Sequence, residues 1–349
     1  MGTRLKLAFL VYLGRSGSTF LSRQLDGASR DLIVTPELNF VVTAARTGDT
    51  VIRSLSPDGL VRFVRRDLQI ANLGLRDAEL DERVRACAGG GVRELCETLL
   101  LAHAEKRGRE PRVVVIKKSV AHLAAMALAR IFPEVVFVHV RRDGRAVVNS
   151  LIHTESVYDP GRMLGRGDPV HAARLWVRQL ESVDRLALRE PARVLEVAYE
   201  PLVSEPAASI ASLRGALAER LGVELRPTEA EAEPDFEVPQ RERPLHSLVS
   251  GAAVAARTDG WRGELGRENG IAVEAIEREW LWRCGYAPHF LPHASRIEVA
   301  RARLRLHAKH LSLTLRHAAW RGGIVLRLLF QDRELASARV REALFQRFG

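Results

Sequence analysis

The chain has 349 residues, of which 46% are hydrophobic and 28% charged, a composition typical of a folded soluble protein with a sizeable core. Its net charge of +10 is unevenly spread, because residues 296–349 hold 12 Lys/Arg against 4 Asp/Glu and leave only +2 for the rest. This balance excludes a generally basic nucleic-acid-binding domain over the first 295 residues.

Cysteine usage and the N-terminal sequence predict a cytoplasmic protein. The three cysteines, Cys87, Cys96 and Cys284, are widely spaced and form no CxxC or Cys/His pattern of zinc type. We therefore expect reduced thiols and no zinc site. The beginning, Met-Gly-Thr-Arg-Leu-Lys, lacks a signal-peptide cleavage region, and no stretch of about 18 apolar residues predicts a membrane-spanning helix.

Four short apolar runs predict buried parallel strands, at 6–13, 112–116, 135–140 and 193–198. Helical spacing of apolar residues follows at 121–132 and 172–188. Strands that alternate with helices predict an α/β fold. We expect a central parallel sheet of the P-loop-NTPase type, flanked by helices and followed by a helical C-terminal extension.

The remaining segments carry weaker patterns. Residues 41–110 show no clear strand and are interpreted as helices joined by Gly-Gly-Gly at 89–91, forming a cap over the active face. The segment 225–245 is rich in Pro and Glu and predicts a surface loop. Residues 271–284 are predicted to be helical. From 294 a helical stripe continues at Leu304, Ala308, Leu311, Leu315 and Ala319. The chain thus divides into a main domain, 1–290, and a basic amphipathic tail, 291–349.

The first strand runs into Gly14-Arg15-Ser16-Gly17-Ser18-Thr19, after which a helical pattern begins. A Gly/Ser-rich turn between strand and helix exposes backbone N–H groups at the positive end of the helix dipole, which favours an anion. Arg15 can add a forked cation. The lysine of the G-x-x-x-x-G-K-[ST] pattern is absent, which disfavours ATP or GTP hydrolysis. On spacing alone, an ordinary strand–helix turn is an equal alternative.

A second motif follows the strand at 135–140, in the sequence "RRDGRAVVNSL". Arg142 stands at the carboxyl end of that strand, and Ser150 lies within the next helix. Ligands of open α/β sheets bind beyond the carboxyl ends of the strands, so these two side chains can close on one phosphate. Two anion sites on one sheet edge suit a ligand that is phosphorylated at two separate positions.

The pair "GRSGSTFL" and "VRRDGRAVVNSL" resembles the two nucleotide-binding motifs of sulfotransferases, which use 3′-phosphoadenosine 5′-phosphosulfate (PAPS) as sulfuryl donor. Three more stretches resemble family segments, namely "VIKKSVAHLAAMALARIFPEVVFVHVRRD", "VLEVAYEPLVSEPAASI" and "GWRGEL" with the helix after it. The resemblance covers roughly residues 5–287 and is closest to the bacterial members and the tyrosylprotein-type branch. It implies that residues 1–290 form a sulfotransferase domain.

The resemblance also implies residue roles. The first loop would hold the 5′-phosphosulfate, through Arg15, Ser16, Gly17, Ser18 and Thr19. Arg142 and Ser150 would hold the 3′-phosphate, and Tyr199 would lie near the adenine or its phosphate, with core packing as the alternative. Arg15 and Lys118 would stabilise the departing phosphate, with no metal required. The alternatives are a surface ion pair for Arg15 and a solvated Lys117–Lys118 pair for Lys118. Relatives have an acidic residue and a proline at the positions of Lys117 and Val120, and Lys117 is expected to point elsewhere than Lys118.

The acceptor hydroxyl needs a general base, and Glu37 in "VTPELNF" is the candidate. Its offset from Arg15 resembles that of the catalytic glutamate in the tyrosylprotein-type branch. Alternatively, Pro36 and Glu37 form the first turn of a helix, where Glu is favourable without catalysis. Other histidine, aromatic and arginine residues are weaker candidates for the site. His122, His153 and His171 are less favoured as the base, and His139 and Trp176 are expected to be structural. Arg257, Trp261 and Arg262 would either close over the nucleotide or pack in the core.

The function predicted from these residues is sulfuryl transfer from PAPS to a hydroxyl, or less favourably an amine, acceptor. The alternatives are a P-loop phosphotransferase and a non-catalytic nucleotide-binding scaffold. The expected partners are the nucleotide donor and an acceptor that the sequence does not identify, and no nucleic acid is expected to bind. The basic tail is expected to pack its leucines on the main domain. An anionic surface at the inner membrane face and a homodimer contact are the alternatives for the tail.

Overall fold

The computed structural model describes residues 5–119, 121–157, 159, 161–228, 236, 238–246, 258–302 and 304. Within them, one parallel sheet has the strand order β2-β3-β1-β4-β5. The strands are β1 (Lys6–Val11), β2 (Leu32–Glu37), β3 (Val113–Lys117), β4 (Val136–Arg141) and β5 (Val194–Ala198). The α/β class and all four predicted strands are confirmed, whereas β2 was not predicted.

Strand β2 corrects the alternative in which Pro36 and Glu37 begin a helix. The strand lies at the edge of the sheet and pairs with β3 alone. Pro36 cannot donate to a ladder, and an edge strand tolerates that loss. The β2–β3 register shifts between Val34 and Glu37, after which Glu37 pairs with Lys117. Such an irregularity re-aims side chains, and here it brings Glu37 beside the end of β3.

The helices surround this sheet. Between β1 and β3 they are α1 (Ser18–Gly27), α2 (Phe40–Thr47), α3 (Asp49–Ser54), α4 (Pro57–Arg65), α5 (Asp77–Ala86) and α6 (Val92–Lys106). Between β3 and β5 they are α7 (Ala125–Ile131), α8 (Gly144–Ile152) and α9 (Pro169–Arg189). After β5 come α10 (Tyr199–Ser204), α11 (Pro206–Leu221), α12 (Trp261–Glu264) and α13 (Arg267–Arg283). The helical prediction for 41–110 is confirmed. The predicted helix at 121–132 begins as a 3-10 turn, Ala121–Ala124.

The side chains of β1 alternate between two cores. Leu7, Phe9 and Val11 pack with the helices of residues 40–104 on one face, whereas Ala8 and Leu10 pack with α1 and α11 on the other. Burial on both faces explains why the strand reads as a continuous apolar run. A third core joins α8, α9 and α13 around the buried Trp176, which confirms the structural assignment of that residue.

The topology determines where a ligand can bind. Strand β1 lies between β3 and β4, and the chain reaches its two neighbours by crossovers that leave in opposite directions. The carboxyl end of β1 is therefore the switch point of the sheet, where open α/β folds form a crevice. The Gly14–Thr19 turn begins at that point.

The C-terminal predictions are only partly covered by the described residues. Residues 296–302 are helical, and Leu304 is exposed, but the stripe from Ala308 to Ala319 lies outside the described residues. The segment 225–245 is not simply a surface loop, because its residues Phe236 and Glu242 are buried. No helix in the described part of the chain is long and apolar enough to cross a membrane.

Candidate active site

Every strand of the sheet delivers a polar side chain to the same edge. Because all five strands are parallel, their carboxyl ends meet on one side. The residues at or just beyond those ends are Tyr12 and Arg15 after β1, Glu37 on β2, Lys117 and Lys118 on β3, Arg142 after β4, and Tyr199 after β5. The structure thus brings the predicted site residues to one edge of the sheet.

The turn after β1 has an unusual backbone. Gly17 caps α1 with φ 87°, and Arg15 also adopts a positive φ, 74°, although it has a Cβ. A left-handed conformation at a residue other than glycine costs about 1–3 kcal/mol and requires support from its surroundings. The hydroxyl-bearing residues Ser16, Ser18 and Thr19 are buried around the turn. The loop is therefore held in a fixed shape by its neighbours.

Arg142 supplies part of that support and joins the two motifs. Its Nη1 donates to the carbonyl oxygen of Arg15 at 2.9 Å. The side chain of Arg15 turns the other way, and its Nε donates to Ser150 Oγ at 2.9 Å. Arg15 and Ser150, which the resemblance assigns to different phosphates, are therefore in direct contact. The two motifs form one continuous cationic surface.

Tyr199 lies between the motifs. Its ring faces the Arg142 guanidinium, with the carbon of that group 4.2 Å from the ring centroid. It also contacts the backbone of Gly17 so closely that a Cβ at this position would overlap the ring. On the other side, Trp176 Nε1 donates to the Arg142 carbonyl oxygen at 3.1 Å. Both aromatic residues position Arg142.

Glu37 accepts hydrogen bonds from three elements. Its Oε1 accepts from Lys118 Nζ at 3.0 Å and from Ser119 Oγ at 3.2 Å. Its Oε2 accepts from the Tyr12 hydroxyl at 3.1 Å. Burial by itself raises the pKa of the Glu37 carboxyl, but the charges of Lys118 and Lys117 outweigh burial and hold this pKa below its usual value. The carboxylate is therefore ionised at neutral pH.

Lys117 is a site residue whose contact the sequence did not predict. As expected for neighbours on a strand, it points elsewhere than Lys118, but it does not leave the site. Its Nζ donates to Thr19 Oγ1 at 2.9 Å, and the side chain is buried. Sequence reasoning also missed Tyr12 and Ser119. The only signal for these three was their adjacency to a strand end.

The remaining candidates lie elsewhere in the fold. His153 Nδ1 is 2.9 Å from the Asn149 carbonyl oxygen of its own helix, and His139 is buried in β4, 3.6 Å from Glu196. The Trp261 ring is buried, with the guanidinium carbons of Arg145 and Arg262 4.0 and 4.7 Å from its centroid.

Trp261 is thus packed inside the protein, as in the second of the two arrangements expected for it. His171 lies on α9, and the His122 side chain and Arg257 lie outside the described residues. Among the residues that the structure covers, no group of three or more His, Cys, Asp or Glu side chains could hold a metal ion.

A parallel sheet with a phosphate-type loop at its switch point and basic side chains along the same edge defines a P-loop-like α/β fold. The model of the sulfotransferase family matches residues 8–226, which is more than half of the chain. The chain therefore belongs to the sulfotransferase family.

Several solved structures to which the chain is similar are sulfotransferases. The sulfotransferase domain from the curacin biosynthetic pathway matches with a TM-score of 0.52 at 16% identity, over 82% of this chain and 100% of that one. The sulfotransferase domain of the Synechococcus PCC 7002 olefin synthase gives a TM-score of 0.49 at 21% identity, over 75% and 90%. Mouse sulfotransferase SULT7A1, complexed with PAP, gives 0.38 at 12% identity, over 81% and 90%. No curated protein matches the chain.

Proposed function

We propose that this chain transfers the sulfuryl group of PAPS to a hydroxyl acceptor, with an amine as the less favoured acceptor. Family membership supports sulfuryl transfer. The observation that carries the choice of donor is the contact of Arg15 with Ser150 and of Arg142 with the Arg15 carbonyl. These contacts join two phosphate-type motifs into one surface, which suits a nucleotide phosphorylated at both the 3′ and 5′ positions.

The donor would bind across the joined motifs. The backbone of the turn and the hydroxyls of Ser16, Ser18 and Thr19 would take the 5′-phosphosulfate at the start of α1. Arg142 and Ser150 would take the 3′-phosphate, and Arg15 would exchange its Ser150 contact for the donor's oxygens. Tyr199 supports this assignment, since its ring touches both Gly17 and Arg142 and fixes their spacing.

In the transfer step the acceptor oxygen forms a bond to sulfur while the bond from sulfur to the 5′-phosphate oxygen breaks. The acceptor proton passes to Glu37, which is ionised and lies next to Lys118. Negative charge develops on the departing phosphate. Arg15 and Lys118 would stabilise it electrostatically, because a guanidinium keeps its proton and a sulfuryl group needs charge stabilisation more than covalent help.

Binding of adenosine 3′,5′-bisphosphate, the product nucleotide, tests the donor. Calorimetric titration should give at least about tenfold tighter binding of the bisphosphate than of ATP, which corresponds to about 1.4 kcal/mol. Equal or tighter binding of ATP, or a magnesium requirement for turnover, would overturn the proposal in favour of a phosphotransferase. Incubation with radiolabelled donor and separate panels of alcohols, phenols and amines then identifies the acceptor class.

A further inference from the structure

Lys117 is a buried basic residue beside the Gly14–Thr19 turn. It is the last residue of β3, which pairs directly with β1, and its side chain is only 4% exposed. Its Nζ lies 2.9 Å from Thr19 Oγ1, and 5.9 and 6.0 Å from the ring centroids of Tyr12 and Phe236. The lysine absent from the loop's own sequence is thus replaced in space by one from the neighbouring strand.

The location of this ammonium group has a counterpart in nucleotide-hydrolysing P-loop proteins. There, the Ser/Thr hydroxyl at the start of the helix after the loop holds a magnesium ion together with an aspartate from another strand, and the ion neutralises phosphate charge. In this chain Thr19 is the second residue of α1, and the neighbouring strand presents Lys117 instead of a carboxylate. A basic side chain therefore lies at this hydroxyl.

We propose that Lys117 is a built-in cation of the phosphate loop, which binds the 5′-phosphate of the nucleotide donor and stabilises the charge on that phosphate as it departs. The inference rests on the proposed function and deepens it. It gives the two lysines different roles, because Lys118 donates to the proposed base Glu37 whereas Lys117 donates to the loop residue Thr19.

Hydrogen-bonding capacity supports this role over a purely structural one. An ammonium group has three N–H donors. Within the described residues, Lys117 Nζ makes one hydrogen bond, to Thr19. Packing or the single bond to Thr19 does not use the remaining hydrogen-bonding capacity of this nitrogen. Two donors in a buried position beside the loop are suited to phosphate oxygens.

The electrostatic surroundings make the charge of Lys117 sensitive to an arriving phosphate. Burial lowers the pKa of the Lys117 ammonium, the carboxylates of Glu37 and Glu242 oppose that shift, and Arg15 adds to it. The Tyr12 phenol faces the same group, and burial raises its pKa, so it stays neutral. An arriving phosphate would raise the lysine pKa, so binding should be coupled to proton uptake at alkaline pH.

The test compares two nucleotides that differ only in the 5′-phosphate, adenosine 3′,5′-bisphosphate and adenosine 3′-monophosphate. Lys117→Met keeps the length of the side chain and removes its charge. We expect bisphosphate affinity to fall about 10- to 100-fold in this variant while monophosphate affinity stays within about threefold. Lys106→Met, which removes an exposed charge, is the matched control and should change neither affinity.

Each outcome decides one hypothesis. Equal weakening of both nucleotides, or no loss for the bisphosphate, would mean that Lys117 only shapes the loop and would overturn the inference. If the wild-type protein itself fails to prefer the bisphosphate over ATP, the proposed function fails instead. Thermal unfolding checks the fold of Lys117→Met; if it does not fold, Lys117→Gln, which keeps a donor for Thr19, gives the same comparison.

A second readout separates charge from shape. Calorimetry in buffers of different ionisation enthalpy should detect proton uptake when the wild-type protein binds the bisphosphate at alkaline pH. That uptake should be lost in Lys117→Gln but retained in Lys106→Met. Identical proton uptake in the wild-type protein and Lys117→Gln would contradict a phosphate-binding ammonium group at this position.

Discussion

At the scale of single residues, the Glu37 carboxylate is defined by what surrounds it. A lysine and two hydroxyl groups donate to its oxygens, and their combined effect keeps the carboxylate ionised despite burial. A lowered pKa makes Glu37 a weak base in equilibrium terms. In the proposed base role, its fixed position beside Lys118 would therefore matter most, because it would accept a proton only as the acceptor oxygen becomes acidic in the transition state.

The Glu37→Gln variant tests that role. The amide is isosteric but cannot accept the proton, so we expect turnover to fall by about 10²–10⁴-fold while affinity for adenosine 3′,5′-bisphosphate stays near the wild-type value. Glu134→Gln is the matched control, because Glu134 also pairs with a cation, Arg93, but precedes β4 at the opposite end of the sheet. Wild-type-like turnover in Glu37→Gln would remove Glu37 as the base.

The pH dependence of turnover follows from the lowered Glu37 pKa. With Glu37 as the proposed base, activity requires the ionised carboxylate, so the acid limb of kcat/KM should lie below the usual glutamate range. Lys118→Met removes the nearest positive charge, and the acid limb should then move to higher pH, in addition to any loss of rate. Lys106→Met should leave the limb in place. An acid limb at unchanged pH in Lys118→Met would show that a group other than Glu37 controls the acid side of the pH profile.

Motif residues of the site could be predicted from the sequence, whereas their contacts could not. Arg15 and Arg142 stand next to strand ends, and local pattern is enough to place them. Tyr12, Lys117 and Ser119 become site residues only through contacts between segments far apart in the chain, such as the bond between Lys117 and Thr19. Those contacts depend on which strands pair, and no local pattern encodes β1–β3 pairing.

At the scale of elements, the beginning of α1 depends on the absence of a side chain at its N-cap. Gly17 combines a left-handed φ with direct contact between its backbone and the Tyr199 ring. The helix end, the phosphate turn and the first residue of α10 therefore meet at one glycine. A residue with a Cβ at this position would adopt an unfavourable left-handed backbone conformation and would also overlap the Tyr199 ring.

The Gly17→Ala variant should lose both stability and nucleotide affinity. The left-handed conformation alone costs an alanine about 1–2 kcal/mol, and displacement of the Tyr199 ring adds to this and disturbs Arg142. Gly222→Ala is the control, because Gly222 has φ 63° but nothing within 4 Å of an added Cβ. Denaturant unfolding and bisphosphate titration measure both effects. A loss in Gly17→Ala no greater than in Gly222→Ala would contradict the Tyr199 contact.

Strand β2 illustrates what element prediction missed. Its sequence LIVTPE has four residues typical of a strand followed by Pro and Glu, which are also typical of a helix start. The edge position decides between the two, because a proline is tolerated where one side of the strand has no partner. Edge position is a property of the whole sheet, so a window of six residues does not contain it.

At the scale of the whole molecule, helices from the C-terminal half complete the second motif. Arg145 on α8 bonds Asp143 at 2.7 Å and Glu274 on α13 at 2.6 Å, while Glu200 accepts from the backbone N–H of Asp143 and the hydroxyl of Tyr286. The alternation of strands and helices predicted the central sheet. It did not predict this packing, because Glu200 and Glu274 lie more than 50 residues from Asp143 and Arg145 and look like ordinary surface residues in sequence.

Glu277 carries the clearest stability consequence of that packing. It is fully buried on α13 against Gly144 of α8, and its carboxyl oxygens have no hydrogen-bond partner among the described residues. Burial, followed by the nearby charge of Asp143, raises its pKa well above the usual value; Arg145 opposes and Glu274 reinforces that shift. The folded protein therefore binds a proton here that the unfolded chain releases at lower pH. Its free energy of unfolding must fall as pH rises from the ordinary glutamate pKa towards the raised one.

Glu277→Gln removes this ionisation while preserving the size of the side chain. Each unit by which the pKa is raised corresponds to about 1.4 kcal/mol, so the variant should be as stable as the wild type at acid pH and more stable at neutral and alkaline pH. Denaturant unfolding across this pH range measures the difference, with the exposed Glu279→Gln on the same helix as control. A constant difference between Glu277→Gln and wild type at all pH values would mean that Glu277 is ionised in the folded state. The α8–α13 contact beside Arg142 would then have to contain a compensating charge.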